Sequence, residues 1–218
     1  MRTATHGHWK ICDINHLPQD NPIMNRCLVV IDAQESFWHR TYSTDRDMAP
    51  YLAAQNALIE GCASAGIPIV RVFHSDGPAT PANPFSVESG HVRPIRGLAD
   101  FEAAATFTKR RHSALVDTGL QVWLTQNGIG HLIVSGIRTE QCCETTARHA
   151  SDLGWRVDFA LDATLTFDMT QPDGRLLAAD DIKARTATVL QDRFAHVCSA
   201  TQALERAHAD RAASQVAA

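Results

Sequence analysis

Short β-branched runs alternate with longer amphipathic ones, and that alternation narrows the possible folds more than any other feature of this chain. "CLVVID" (27–32), "IPIVRVFH" (67–74), "HLIVSG" (131–136), "WRVDFAL" (155–161) and "HVCSA" (196–200) have the length and side-chain type of buried strands. Between them, 48–66, 117–128, 140–154 and 180–192 read as helices. The first three of these stop at Gly66, Gly128 and Gly154, each shortly before a strand. Strand–helix–strand order of this kind predicts an α/β fold, a parallel sheet covered by helices on both faces. In such sheets ligands bind beyond the carboxyl ends of the strands.

Composition sets the outer limits. The 218 residues are 44% hydrophobic and 20% charged, which fits one globular domain over 1–218, with 1–25 as an irregular N-terminal arm. A net charge of −4 with scattered Lys and Arg gives no nucleic-acid footprint. No apolar run is long enough to span a membrane, and the first residues lack the apolar core of a secretory signal. Six cysteines without a C-x-x-C pair read as reduced thiols of a cytoplasmic protein. The arm, with Trp9, Ile11 and Ile14, either reaches a neighbouring subunit or covers its own. The tail "AHADRAASQVAA" reads as a frayed helix end.

Three places carry polar residues where ligands should lie. Asp32 closes the first strand, and position alone does not separate a turn or cap from a working carboxylate. In "IVSGIRTEQCCETTARHA" (133–150), Cys143, Ala147 and Ala150 share one helix face, so Cys143 packs on the sheet. Cys142 then sits about 100° away in the first turn, where the helix dipole is expected to lower its pKa. The third place is "FTKRRHSAL" (107–115), either a solvated basic patch or a short strand bringing one lysine to the same mouth.

Asp32, Lys109 and Cys142 in this order, within "LVVIDAQESF", "KRRHSAL" and "HLIVSGIRTEQCCETTARHASDLGWRV", resemble the isochorismatase-like cysteine hydrolases. That group includes nicotinamidases, N-carbamoylsarcosine amidohydrolases and biuret hydrolases. The resemblance spans most of residues 27–167. It implies a three-layer α-β-α sandwich around a six-stranded parallel, Rossmann-like sheet and a catalytic triad of Asp32, Lys109 and Cys142. It further implies a cis peptide at Ile137–Arg138 and an oxyanion hole made by the backbone N–H groups of Arg138 and Cys142. The implied reaction is hydrolysis of a C–N bond in a small amide, carbamoyl or ureide compound through a thioester, without a cofactor. Dimers or tetramers are the implied assembly.

The chain also departs from its relatives. Nicotinamidases carry an Asp-x-His metal motif after the second strand, whereas "FHSDGPATPANPFSVESGHVRP" holds His74, Asp76 and His91 in another order, so no metal is expected. His74 is read as a pocket wall or substrate donor, and His91 as solvated. Gln34, Phe37, Trp38 and His112 are expected to line the pocket. Phe37 and Trp38 fit the core or a subunit interface equally well. Arg138 reads either as binding a substrate carboxylate or imide oxygen or as a surface arginine. The loop at 75–97 is long enough to be functional and is expected to set specificity. Two alternatives stay open, a vinyl-ether hydrolase of the isochorismatase type and a non-catalytic small-molecule-binding member of the fold. A nucleotide-binding reading falls away because no Gly-x-Gly-x-x-Gly follows "CLVVID".

Overall fold

A computed structural model describes residues 25–216. The arm assigned to 1–25, with Trp9, Ile11 and Ile14, lies outside the described residues except at its last position. In chain order the elements are β1 (Asn25–Ile31), α1 (Met48–Ser64), β2 (Ile69–His74), β3 (Ala105–Lys109), α2 (Leu120–Gln126), β4 (Ile129–Ile137), α3 (Glu144–Asp152) and β5 (Arg156–Leu165). They continue with β6 (Met169–Thr170), β7 (Leu176–Leu177), α4 (Ala179–Leu190), β8 (His196–Cys198) and α5 (Ala200–Val216). Six strands form one sheet in the order β3-β2-β1-β4-β5-β8, and every neighbouring pair is parallel. The helices flank this sheet on both sides, giving the expected three-layer α/β sandwich.

The central strand shows why the two faces fill. β1 alternates, so Leu28 and Val30 pack with Tyr51, Leu58 and Ile59 of α1 and with Ala200 and Ala203 of α5. Cys27, Val29 and Ile31 pack on the opposite face with Leu120 and Leu124 of α2 and with Cys143, Ala147 and Ala150 of α3. A strand buried on both faces must be apolar throughout, and 27–31 are all essentially inaccessible. Removal of each large side chain from water stabilises the fold by about 2 kcal/mol. No helix among the described residues is long and apolar enough to cross a membrane.

Two differences from the sequence reading have clear causes. β5 runs past the expected end at 161 to Leu165, and the polar Asp162 within it is accommodated by accepting the N–H groups of Ala163 and Ala200. The second is α5, which starts at Ala200, so the described part of the tail continues a helix already under way. Ser199 Oγ accepts the N–H of Gln202 while Gln202 Oε1 accepts the N–H of Ser199. That reciprocal capping box is written in the sequence as Ser-Ala-Thr-Gln. The buried stripe that follows (Ala200, Ala203, Ala207) is made of alanines, too weakly hydrophobic to announce a core-facing helix.

Candidate active site

Gly136 bends the chain towards the site. Its φ is +124°, and a Cβ there would lie 1.8 Å from the carbonyl oxygen of Ile31, so only glycine lets β4 approach β1 this closely. The β4–β5 register slips at the same point. The Ile137–Arg138 peptide that follows is cis. Residues Thr139–Cys143 then form one wide π-helical turn before α3 begins at Glu144. Cys142 therefore sits in this turn, slightly ahead of the helix where the sequence put it. Neighbouring contacts hold the turn firmly. Thr139 Oγ1 donates to Thr164 Oγ1, Thr146 Oγ1 donates to the Cys142 carbonyl, and Glu144 binds Arg148, Arg185 and Thr186.

Asp32 follows β1 in a left-handed conformation, φ +50°, with its N–H still donating to Val72. Lys109 ends β3, two strands away, and its side chain is fully buried. Arg110 and Arg111, the other cations of the run, are exposed. The Lys109 ammonium donates to Asp32 Oδ2 at 2.7 Å, to His74 Nδ1 at 3.0 Å and to Cys142 Sγ at 3.2 Å. Asp32 Oδ1 is buried without a hydrogen-bond partner. The sequence-predicted Asp32, Lys109 and Cys142 thus meet at one point.

Burial and charge set the protonation states. Desolvation raises the Asp32 pKa, and the Lys109 charge offsets part of that rise. Burial would lower Lys109, but the Asp32 carboxylate and Cys142 outweigh it and hold the ammonium charged. The Cys142 thiol is pushed up to about 12, first by burial and then by the adjacent Asp32. The net shift is upward, opposite to the lowering expected from the helix dipole. Cys142 precedes the helix and is 7% exposed beside a carboxylate, so the resting group is a thiol with a base next to it.

A cavity of about 660 Å³ opens above these groups. Phe37, Tyr42, His74, Phe85, His112, Arg138 and Cys142 are among its lining, and His112 Nδ1 lies 3.9 Å from Cys142 Sγ. Phe37 packs edge-on against Phe85, forming an apolar wall. Arg138 is buried, not a surface residue. Its guanidinium contacts Glu140 at 3.1 Å and lies over the Tyr42 ring. Asp76, Gly77, Pro78, Thr80 and residues 82–85 also line it, and sequence reasoning named none of them individually beyond Asp76. The only available signal was the loop's length. Asn83 ties this loop together through bonds to Asp76, Pro78 and Phe85.

Two expected pocket residues are not part of the lining. Gln34 is fully buried behind it, where its amide brackets the backbone N–H and C=O of His74 at 2.7 and 3.0 Å. Trp38 packs against the core on the α1 side, with the Arg96 guanidinium over its ring, because the short helix at Glu35–His39 turns it away from the cavity. His91 stacks on His39 and is also absent from the lining. Among the described residues, Asp32, His74 and Cys142 are grouped closely enough to suggest a metal site, with donor atoms within 4.8 Å of one another. The Lys109 ammonium bonds to all three, so a positive charge already occupies the centre a cation would need.

The Isochorismatase domain profile matches residues 26–202. The chain belongs to the isochorismatase family. Among solved structures, this isochorismatase-family hydrolase resembles an isochorismatase from Pseudomonas putida KT2440, with a TM-score of 0.71 and 28% identity over 82% of this chain and 89% of that one. It also shares its fold with N-carbamoylsarcosine amidase from Thermoplasma acidophilum, with a TM-score of 0.63 and 22% identity over 81% of this chain and 97% of that one. A curated relative, Nicotinamidase 3 of Arabidopsis thaliana, is 48% identical over 60 residues. That stretch spans 28% of this chain and 30% of the plant protein.

Proposed function

We propose that this isochorismatase-family hydrolase is a cysteine amidohydrolase. It cleaves the C–N bond of a small amide, carbamoyl or ureide substrate, with Asp32, Lys109 and Cys142 as its triad. The observation that carries this reading is the division of labour at Asp32. One carboxylate oxygen is held by Lys109, the other is buried and unpartnered, and the carboxylate as a whole lies within 4.8 Å of the Cys142 thiol. A base so placed next to a high-pKa thiol suits proton transfer within the same step as attack. The amidase names borne by two of the relatives support the bond type.

In this mechanism Asp32 takes the thiol proton as Cys142 Sγ bonds to the substrate carbonyl carbon. The oxyanion of the tetrahedral intermediate is received by the backbone N–H groups of Arg138 and Cys142. Asp32 returns the proton to the leaving nitrogen, the C–N bond breaks, and ammonia or an amine departs from a thioester. Water then attacks the thioester, giving its proton to Asp32, and the acid leaves as the thiol is restored. Lys109 stays charged throughout and offsets each negative charge as it forms. The vinyl-ether alternative gives no role to a thiol placed beside a buried carboxylate.

The test is ammonia release from nicotinamide, carbamoylated amino acids, biuret, cyclic imides and aliphatic amides, with Cys142→Ala and Cys143→Ala alongside. Turnover of at least one compound should vanish in Cys142→Ala and largely survive in Cys143→Ala. Equal losses in both, or turnover surviving in Cys142→Ala, would defeat the assignment. A thioester trapped by acid quench should add the acyl mass to the peptide holding Cys142.

A further inference from the structure

A count of protons at Lys109 fixes the state of His74. An ammonium has three N–H donors, and its three partners here are Asp32 Oδ2, Cys142 Sγ and His74 Nδ1. A charged lysine can only donate, so Nδ1 must present its lone pair, and the ring proton must sit on Nε2. Burial and the neighbouring Lys109 charge push the His74 pKa down to about 4, so the ring stays neutral at physiological pH.

The ring's position is fixed as tightly as its tautomer. Gln34 brackets the His74 backbone from both sides, and Phe85 packs edge-on against the imidazole with centroids 5.8 Å apart. His74 lines the cavity, and its side chain is 13% exposed. The nearest carboxylate, Asp76 Oδ2, lies 3.9 Å from Nε2, beyond hydrogen-bond reach, and Asp76 Oδ1 accepts the N–H of Gly77. No protein acceptor among the described residues therefore meets the Nε2–H donor.

Strand order says which part of a substrate this donor faces. β2 and β4 flank β1, so His74 stands on one side of Asp32, while Arg138 and the turn bearing Cys142 stand on the other. An oxyanion received on the β4 side directs the substituent across the carbonyl carbon towards the end of β2. Resting on the amidohydrolase reading above, we propose that His74 donates from Nε2 to a second oxygen of the substrate. It thereby selects amides that carry such an oxygen beside the scissile group, namely ureides, carbamoyl acids and half-amides of dicarboxylic acids. A site built to donate to an oxygen discriminates strongly against analogues lacking it.

The experiment uses isosteric pairs in which a carboxylate is exchanged for an isopropyl group: N-carbamoylglycine with isobutylurea, and succinamate with 4-methylpentanamide. Calorimetry on Cys142→Ser protein reads binding whether or not turnover occurs. The oxygen-bearing member should bind at least tenfold tighter. His74→Asn keeps an acceptor for Lys109 but shortens the donor, so it should erase this preference and raise KM about tenfold with little change in kcat. His74→Gln keeps a donor near the Nε2 position but removes the Lys109 acceptor, so it should keep the preference and lower kcat. In ¹⁵N spectra of the histidine-labelled protein, the signals lost in His74→Asn should be those of an Nε2–H tautomer. Thermal melts establish that each variant is folded. Equal affinities within the pairs, binding of neither member, a preference that survives His74→Asn, or an Nδ1–H tautomer would each overturn the proposal. A clear binding preference without ammonia release from any pair would defeat amide hydrolysis and leave the His74 donor standing.

Discussion

The sheet has a buried aspartate at each end, and the two are opposites in everything except burial. Asp32 closes β1 at the carboxyl edge, and Asp158 lies near the start of β5 at the amino edge; neither is exposed. Asp158 is saturated. Arg26 and His131 meet Oδ2, and Arg206 of α5 meets Oδ1 at 3.2 Å. Burial alone would raise its pKa, but the contacts with His131 and Arg26 outweigh burial and hold it down at about 2. Asp32 has one partner, one bare oxygen and a raised pKa. A satisfied buried carboxylate is a structural rivet, whereas a half-satisfied one keeps an oxygen free to accept a proton.

The largest expected effect that tests this contrast is on turnover. Asp32→Asn should lower kcat by about a thousandfold for whichever amide is hydrolysed, as loss of a general base does. Asp158→Asn should leave kcat per folded molecule within about twofold; an equal loss in both variants would erase the distinction between the two ends.

Stability should show the reverse. Asp158→Asn leaves Arg26 buried with its inner partner gone and should cost about 3 kcal/mol in urea unfolding. The acid limb of the stability curve sharpens the point. A carboxylate whose folded pKa is about 2 against an ordinary 3.8 stabilises the fold fully above the higher value and loses that contribution as pH falls through the lower. Some 2 kcal/mol of stability, an order-of-magnitude figure, should disappear between roughly pH 4 and pH 2 and be absent from the slope of Asp158→Asn. The smallest effect belongs to Arg206→Ala. Its side chain is 42% exposed, so water screens the pair and its loss should cost only about 0.5–1 kcal/mol.

The two ends also differ in how legible they were before folding. The placement of Asp32 and Cys142 at the carboxyl edge was legible because each belongs to a local pattern, an apolar strand that stops at an acid and a glycine turn that runs into a helix, while their pairing with Lys109 came from the resemblance. Lys109 was legible only by resemblance, since nothing in "TKRRH" distinguishes it from Arg110 and Arg111 until the edge strand buries one and exposes the others. Arg26, His131 and Asp158 were invisible, because they are drawn together from three different strands and share no spacing. Gln34 and Trp38 were misplaced by proximity to Asp32. Adjacency in sequence says little once a short helix at Glu35–His39 rotates successive side chains to different sides.

By itself the sequence determined the alternation of strands and helices, the doubly covered parallel sheet, and which residues end up at its carboxyl edge. All of these follow from side-chain period and turn chemistry within a few residues of each position. Only the tertiary structure decided how Asp32, His74 and Cys142 share one ammonium, which loop residues wall the cavity, and that the Cys142 thiol is raised by burial beside the Asp32 carboxylate. Those outcomes depend on burial and on distances of a few ångströms between residues far apart in the chain. Such quantities set pKa values and hydrogen-bond states, and no local pattern encodes them.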